Sequence, residues 1–558
     1  MPRFSSPSEP GQAPALLSYP RDGAKPLFPA ARDRYGRDSN AKNPTHMLLT
    51  TTGGASFSVA LPDEQATMRL MVDVASALEP GDVLTLSGDL GAGKTTFARA
   101  MIRYLAGDET IEVPSPTFTL MQIYDLPRFP VVHADLYRLS GSAELAELGF
   151  DDLPDGAVVV VEWPDRAAGF LPADRIDVTL TLTPKLKPEF RQARVTGYGT
   201  FATRVDRIAS VRQFIAEAGL SEATRVRMPG DASTRRYHRL VLGNQRAILM
   251  DSPRRPDGPP VRDGKPYSQI AHLAESVVPF VAMAKGLREQ GLTTPEIQHA
   301  DMQQGLLIIE DLGNEGVVAG EPPAPIVERY ETAVDALLAL HGKPLPAVLP
   351  VAPHVEHEIP AYDMDALLIE VELLLEWYLP RQGIVVTEDA QADFLGHWRD
   401  ALQGALDVTP TWVLRDFHSP NLLWLPDRKE VARLGILDFQ DAVMGPPAYD
   451  VASLLQDARV DMPEAVEVAL LGRYVRQRRT ADADFDPGVF IRSYVTLAAQ
   501  RASKILGIFA RLDVRDGKPQ YLRHIPRISG YLQRSLGHPS LEALNDWYSH
   551  HIPALQSE

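Results

Sequence analysis

Residues 88 to 95 read Gly88-Asp89-Leu90-Gly91-Ala92-Gly93-Lys94-Thr95. They follow an apolar run at 83–86 and precede a helix-like segment that starts at Thr96. A strand, a glycine-rich loop ending in Lys-Thr and a helix are, in this order, the context of a phosphate-binding P-loop. The glycines let successive backbone N–H groups turn toward one phosphate, and the helix N-terminus adds the positive end of its dipole. We therefore predict a nucleoside triphosphate site here.

The predicted contacts of this site follow from the chemistry of the motif. Lys94 reaches the β- and γ-phosphates, and the Thr95 hydroxyl completes a Mg²⁺ shell. Backbone amides cradle the phosphates, so the ATP-binding set is predicted as Gly88, Gly91, Gly93, Lys94, Thr95 and Thr96.

Two apolar runs downstream each end in a carboxylate. They are 130–135, which ends at Asp135, and 157–162, which ends at Glu162. Because the carboxyl ends of parallel strands converge on the phosphate loop, we expect both acids to face Mg²⁺ or the attacking water.

These stretches resemble the small bacterial P-loop ATPases of the TsaE family, which act in biosynthesis of threonylcarbamoyladenosine (t6A) in tRNA. The resemblance rests on the P-loop together with 115–120 (Ser-Pro-Thr-Phe-Thr-Leu), 133–139 (His-Ala-Asp-Leu-Tyr-Arg-Leu) and 161–164 (Val-Glu-Trp-Pro). It implies an α/β P-loop NTPase that hydrolyses ATP and works with partners of the threonylcarbamoyl transferase complex (TsaB/TsaD type). It further implies that Asp135 is a catalytic acid, Glu162 a metal-side acid and Trp163 a neighbour of the nucleotide, with a switch-type loop at 115–119.

A second ordered set of residues lies near the C-terminal end. The segment 413–423 reads Val-Leu-Arg-Asp-Phe-His-Ser-Pro-Asn-Leu-Leu, and 434–440 reads Leu-Gly-Ile-Leu-Asp-Phe-Gln. An acid, an Asn five positions later and a strand that delivers a second acid form the kinase-type phosphoryl-transfer arrangement. We predict that Asp416 accepts the proton of the attacking hydroxyl, while Asn421 and Asp438 hold Mg²⁺.

Upstream segments supply the remaining parts of a kinase in the expected order. The segment 228–240 is predicted as a turn between strands that closes over phosphates, and 305–313 as a strand and hinge where Glu310 and Leu312 meet adenine. The strand that should carry a phosphate-anchoring Lys has Met250 near that place. The α- and β-phosphates therefore need another cation, for which Arg235 and Arg236 are the candidates. Ser233, in the turn, is also predicted to bind ATP.

The second set resembles the two-lobed, α+β aminoglycoside phosphotransferase-like kinases over nearly all of 204–558. Segments 230–237, 248–251, 414–418 and 504–509 are similar to the branch of anomeric kinases for N-acetylmuramate and N-acetylglucosamine (AmgK). This branch makes sugar 1-phosphates in peptidoglycan recycling. One departure from the broad kinase pattern is Leu414, where a His is usual.

A predicted helix at 364–379 has an apolar stripe that is mostly core. Because aromatic faces and carboxylates suit sugar hydroxyls and ring C–H groups, the residues predicted to approach the sugar are Glu372, Trp377 and Tyr378.

Length and composition limit the number of domains and the classes of binding partner. A chain of 558 residues requires more than one core. We predict a disordered extension at 1–50, an ATPase domain at 51–200 and a kinase domain at 204–558, whose lobes meet near 313. A translation start at Met47 is the alternative explanation of the extension. The net charge of −17 argues against strong direct nucleic-acid or membrane-surface binding. The absence of cysteine excludes disulfides and thiolate metal sites and fits a cytoplasmic protein. The cofactors predicted from the two motifs are ATP and Mg²⁺.

Alternatives remain at this point. The kinase could act on an aminoglycoside, choline or homoserine, with the P-loop unit serving only as a nucleotide-dependent assembly module. A generic P-loop metabolite kinase is the alternative for the first unit, and the missing Arg-rich lid disfavours it.

Overall fold

The structure is a computed structural model that describes residues 54–139, 153–167, 171–183, 189–229 and 235–553. The predicted extension at 1–50 and most of the phosphate-closing loop, including Ser233, therefore lie outside the described residues. Within the described ranges, no helix has both the length and the apolar composition needed to cross a membrane.

The N-terminal α/β unit is built on one mixed sheet, which has seven strands in the described part of the chain. The strand order is β1-β7-β6-β2-β5-β4-β3, with β6, β2, β5 and β4 parallel to one another and the outer pairs antiparallel. Its elements are β1 (Gly54–Leu61), α1 (Glu64–Ala77), β2 (Val83–Gly88), α2 (Lys94–Ala106), β3 (Met121–Tyr124), β4 (Val131–Asp135), β5 (Val158–Glu162), β6 (Arg175–Leu182) and β7 (Arg191–Tyr198).

Local sequence explains these elements. Strands β4 and β5 are buried on both faces and accordingly lack a polar–apolar alternation. Helix α1 begins after Asp63, whose side chain accepts a hydrogen bond from the Ala66 N–H at 2.7 Å. Helix α2 ends at Gly107, which adopts a left-handed conformation.

Helix α3 (Ala202–Glu217) joins the two units and contributes to both cores. Val205 near its beginning belongs to the core of the N-terminal sheet. Val211, Phe214 and Ile215 belong to a second core, which they share with strands of the next sheet. The helix is therefore a shared packing element between the two units.

Ion pairs add to this contact between the units. Asp73 on α1 is buried and accepts hydrogen bonds from Arg212 and from Arg225, the latter at 3.0 Å. Glu79 accepts from Arg204 at 2.8 Å and from Arg236 at 2.7 Å. The end of α1 is thus held against the strands that begin the second unit.

The second unit begins with a lobe that contains a sheet of order β13-β14-β10-β9-β8, counted over the described residues. The elements of this lobe are β8 (Thr224–Arg227), β9 (Arg236–Leu242), β10 (Gln245–Asp251), β11 (Pro260–Arg262), β12 (Lys265–Pro266), α4 (Tyr267–Ile270), α5 (Val278–Glu289), β13 (Ile297–Asp301) and β14 (Leu306–Glu310). Met250 lies on the central strand β10 and is buried in the core.

A mainly helical lobe follows, with short hairpins that present the candidate catalytic residues. Its elements are β15 (Val318–Ala319), β16 (Ala324–Pro325), α6 (Val327–His341), β17 (Val348–Ala352), β18 (Val355–Glu358), α7 (Met364–Leu373), α8 (Leu379–Arg381), α9 (Glu388–Leu406), β19 (Thr411–Val413), β20 (Leu422–Trp424), β21 (Leu434–Ile436), β22 (Val443–Gly445), α10 (Ala448–Leu455), α11 (Glu464–Ala481), α12 (Pro487–Val514), α13 (Ile525–Leu536) and α14 (Glu542–His551). The single helix predicted over 364–379 is instead α7, a π-helical turn (Leu374–Tyr378) and α8.

Candidate functional sites

The P-loop connects β2 to α2 and encloses the Lys94 ammonium group. A Cβ at Gly88 would lie 2.1 Å from the Leu180 carbonyl oxygen, so only glycine fits where β2 meets β6. Lys94 is 4% exposed, and its Nζ donates to the carbonyl oxygens of Gly88 at 2.7 Å and Asp89 at 3.0 Å. It also lies 3.6 Å from the ring centroid of Trp163. Burial lowers the pKa of Lys94 despite the nearby carboxylates.

The two strand-end carboxylates lie side by side next to this loop. Asp135 and Glu162 are direct partners in the parallel register of β4 and β5. The Thr95 hydroxyl donates to Glu162 Oε2 at 2.8 Å, and the Ser115 hydroxyl donates to Asp135 Oδ2 at 2.9 Å. Hydroxyl and carboxylate oxygens are the ligands that Mg²⁺ prefers, so this set fits a magnesium ion bound with nucleotide phosphates.

His133 is a site residue to which the sequence reasoning gave no role. Its Nε2 lies 2.9 Å from Glu162 Oε1, and both side chains are buried. The contact fixes one oxygen of Glu162 while Thr95 fixes the other. A sequence signal existed, because His133 and Asp135 are two residues apart on one strand and project on the same face.

The candidate catalytic loop of the second unit runs from β19 to β20 and is held by Asp450 on α10. Asp450 accepts hydrogen bonds from the backbone N–H groups of Leu414 at 2.6 Å and Arg415 at 2.9 Å. Asp450 therefore holds the start of the loop in place. Asn421 donates from Nδ2 to the carbonyl oxygen of Asp416 at 3.0 Å, which joins the predicted base to a predicted metal ligand.

Asp438 completes the set and is paired with a cation from the other lobe. Arg235 Nη1 donates to Asp438 Oδ1 at 3.1 Å, and Gln440 Nε2 donates to the same oxygen at 2.8 Å. Burial and the nearby Asp416 raise the pKa of Asp438 to about 6. The oxygens of Asn421 and Asp438 are hard ligands suited to Mg²⁺.

A buried ionic network supports the catalytic loop. Glu370 is fully buried and bonds to Arg415, to Lys504 Nζ at 2.7 Å, to Gln500 Nε2 at 3.0 Å and to the Tyr362 hydroxyl at 2.7 Å. Burial alone would raise the pKa of Glu370, but the positive charges of Lys504 and Arg415 lower it to about 2. Because Arg415 directly precedes Asp416, this network fixes the backbone that carries the predicted base.

Comparisons with known proteins match each of the two units to a family. The family model for the threonylcarbamoyl adenosine biosynthesis protein TsaE matches residues 61–189, and the model for the phosphotransferase enzyme family matches 224–487. The N-acetylmuramate/N-acetylglucosamine kinase of Caulobacter vibrioides is 38% identical over 362 residues, which cover 62% of this chain and 97% of that protein. The TsaE protein of Rickettsia bellii is 39% identical over 122 residues, which cover 22% of this chain and 84% of that protein.

The chain belongs to both families. It joins a TsaE-type ATPase to a kinase of the phosphotransferase family in one polypeptide. Among solved structures, the Bacillus protein YdiB is 27% identical and aligns with 30% of this chain and 99% of its own at a TM-score of 0.24.

The structure separates the two arginines that were joint candidates for ATP in the kinase. Arg235 points to Asp438, whereas Arg236 pairs with Glu79 of the TsaE-type domain. Arg236, the first residue of β9, is therefore an interdomain residue, whereas Arg235 precedes the strand.

The residues predicted to meet adenine and those predicted to meet the sugar lie in different environments. The Glu310 carboxylate accepts from Arg428 at 2.6 Å, while Leu312 lies against Gly435. Glu372 pairs with Arg262, and Trp377 is partly exposed. Tyr378 is buried in the core at 4% exposure, so its predicted contact with the sugar is corrected.

Proposed function

We propose that the kinase domain transfers the γ-phosphoryl group of ATP to the anomeric hydroxyl of N-acetylmuramate or N-acetylglucosamine, as in peptidoglycan recycling. The observation that supports this most is the proximity of Asp416, Asn421 and Asp438, in a chain that covers nearly all of a relative with that name. Residues 204–558 are proposed as this domain.

The proposed chemistry needs few groups from the protein. The C1 hydroxyl passes its proton to Asp416, its oxygen bonds to the γ-phosphorus, and the bond from that phosphorus to the β–γ bridging oxygen breaks to release ADP. Asn421 and Asp438 would hold Mg²⁺, whose chemistry is to neutralise charge on the phosphates. Arg235, which is hydrogen-bonded to Asp438, is the proposed partner of the phosphates in place of the missing Lys.

Charged neighbours keep Asp416 able to act as a base. Burial would raise the pKa of Asp416, but the charges of its neighbours, which include Lys504, Arg501 and Arg415, lower it. An ionised carboxylate can accept the proton of the attacking hydroxyl.

The kinase test is direct. The protein is incubated with N-acetylmuramate or N-acetylglucosamine and γ-labelled ATP, and the product is analysed for a phosphate at C1. A sugar 1-phosphate supports the proposal. Label on another hydroxyl, or transfer only to choline, homoserine or an aminoglycoside, would refute the substrate assignment.

For the first domain we infer ATP hydrolysis that supports t6A formation at position 37 of tRNA, with threonylcarbamoyl transferase proteins as partners. Residues 51–200 are proposed as this domain. The supporting observation is the complete set of Lys94, Thr95, Asp135 and Glu162 around one loop. The rate of ATP hydrolysis by the full-length chain should rise when TsaB- and TsaD-type proteins are added. A rate that these proteins do not change would leave the first domain with an assembly role only.

A further inference from the structure

One face of helix α12 carries a row of cations that leads away from Asp416. Arg501, Lys504 and Arg511 are three and seven residues apart and therefore share that face. A Cβ at Gly507 would lie 2.3 Å from the Leu373 carbonyl carbon, so α12 lies directly against the end of α7. This contact fixes the cationic row beside the catalytic loop.

Two of these cations differ in their partners. Lys504 is neutralised by Glu370 at 2.7 Å. No residue in the described part of the chain forms a hydrogen bond or ion pair with the Arg511 guanidinium, and its Nε is buried without a partner. The Arg511 side chain is partly buried, and burial lowers its pKa, while the carboxylates of Asp516 and Glu376 act on it only at a distance. A ligand carboxylate could therefore bind the guanidinium directly.

Tyr267 stands next to Arg511 and is also unsatisfied. Arg511 Cζ lies 5.7 Å from the centroid of the Tyr267 ring. The Tyr267 hydroxyl has no hydrogen-bond partner among the described residues, and burial raises its pKa to about 12, so it stays a donor. Arg511 and Tyr267 together offer several unused donors to an acidic group.

The distance from the catalytic base suits the far side of a sugar. Lys504 is within electrostatic reach of Asp416, and Arg511 follows it by two helical turns, or about 10.5 Å along the axis. Glu376, in the π-helical turn, lies within electrostatic reach of Arg511 and is hydrogen-bonded to Trp377; burial and Glu372 raise its pKa, and Trp377 and Arg511 oppose that rise. An acceptor with its C1 hydroxyl at Asp416 would extend toward Arg511.

The two proposed sugars differ in one group. N-acetylmuramate is N-acetylglucosamine with a lactic acid ether on the C3 oxygen, and that ether ends in a carboxylate. A guanidinium binds a carboxylate through two parallel N–H···O bonds. We propose that Arg511, assisted by the Tyr267 hydroxyl, binds this carboxylate and sets the preference for N-acetylmuramate over N-acetylglucosamine. This inference rests on the proposed kinase function.

The test measures kcat/KM for both sugars with wild-type protein and the Arg511→Gln variant. The ratio of the N-acetylmuramate value to the N-acetylglucosamine value should fall about 10- to 100-fold, the range of a charge-assisted hydrogen bond. Arg515→Gln is the matched control, because Arg515 is one turn further along and pairs with the adjacent Asp516 at 2.7 Å. That variant should keep the wild-type ratio.

A change in the ligand gives the same information without a mutation. The carboxamide of N-acetylmuramate should be a poorer substrate for wild-type protein by a similar factor, and Arg511→Gln should no longer distinguish acid from amide. Equal losses on both sugars, or full wild-type activity on the amide, would overturn the role of Arg511 while the kinase function stands. Wild-type protein that phosphorylates neither sugar would refute the proposed function instead.

Discussion

The two nucleotide sites of this chain obtain their phosphate-binding cation in different ways. In the ATPase domain, Lys94 comes from the same loop that binds the phosphates and is held by the carbonyl groups of that loop. In the kinase domain, Met250 is buried where a Lys is expected, and Arg235 reaches Asp438 across 203 residues of sequence. A cation supplied locally is part of a short motif, whereas one supplied at long range exists only after the lobes have folded together.

The largest expected effect tests whether the two sites are independent. Asp416→Asn should lower sugar phosphorylation about 10³-fold, because the attacking hydroxyl loses its proton acceptor, and should leave ATP hydrolysis by the first domain intact. Lys94→Ala should do the reverse. Both rates are measured in the full-length variants. Loss of both activities in either variant would show that the sites are coupled.

A smaller effect compares how firmly each site is supported. Glu370→Gln leaves the buried Arg415 and Lys504 without a counter-charge and should destabilise the kinase domain by about 3 kcal/mol in urea unfolding. His133→Asn in the ATPase site removes a single hydrogen bond and should cost about 1 kcal/mol. Equal costs would mean that the two sites are supported equally.

The role of the long-range cation is tested by two neighbouring variants. Arg235→Gln should raise the KM for ATP in the kinase reaction about tenfold, as expected for losing one charged contact. Arg236→Gln should keep that KM, since Arg236 faces Glu79, and should cost less than about 1 kcal/mol of stability because the pair is partly exposed. An unchanged KM in both variants would leave the missing Lys without a replacement.

The smallest effect concerns the contact between the domains. His238 is fully buried, and burial together with the neighbouring arginines lowers its pKa to about 2. Between pH 6.5 and 2 the unfolded chain binds a proton at this histidine that the folded chain does not. The contribution of neutral His238 to the free energy of unfolding is therefore largest above pH 6.5 and falls as the pH drops. At pH 6 the loss is about 1 kcal/mol.

His238→Gln should therefore make the melting temperature less dependent on pH between 7.5 and 6. His550→Gln, at the exposed end of α14, should keep the wild-type dependence. A His238→Gln profile that matches the wild type would contradict this account.

The sequence predicted the features that depend on short segments. The P-loop and the Asp416–Asn421 loop are contiguous, and the two strand-end acids follow from the general geometry of parallel sheets. Their side chains come together because the backbone elements that bear them do so in every protein with this topology. The fold classes of both domains could be predicted on the same basis.

The features that could not be predicted depend on contacts between distant residues. Glu370, Arg415 and Lys504 belong to three elements, and each alone has the pattern of an ordinary charged residue. The error at Tyr378 has a local cause, because the Leu379 N–H bonds to the Leu374 carbonyl five residues earlier. This π turn rotates the side chains that follow it relative to a 3.6-residue pattern, and Tyr378 turns into the core.

Helix α3 makes the two halves of the polypeptide difficult to separate. A cut before Ala202 would strip the N-terminal sheet of Val205, and a cut after Glu217 would strip the kinase of Phe214 and Ile215. Either fragment would present a freshly uncovered apolar surface to water and would tend to aggregate. Point variants of the intact chain are therefore a sounder way than truncation to study one activity without the other.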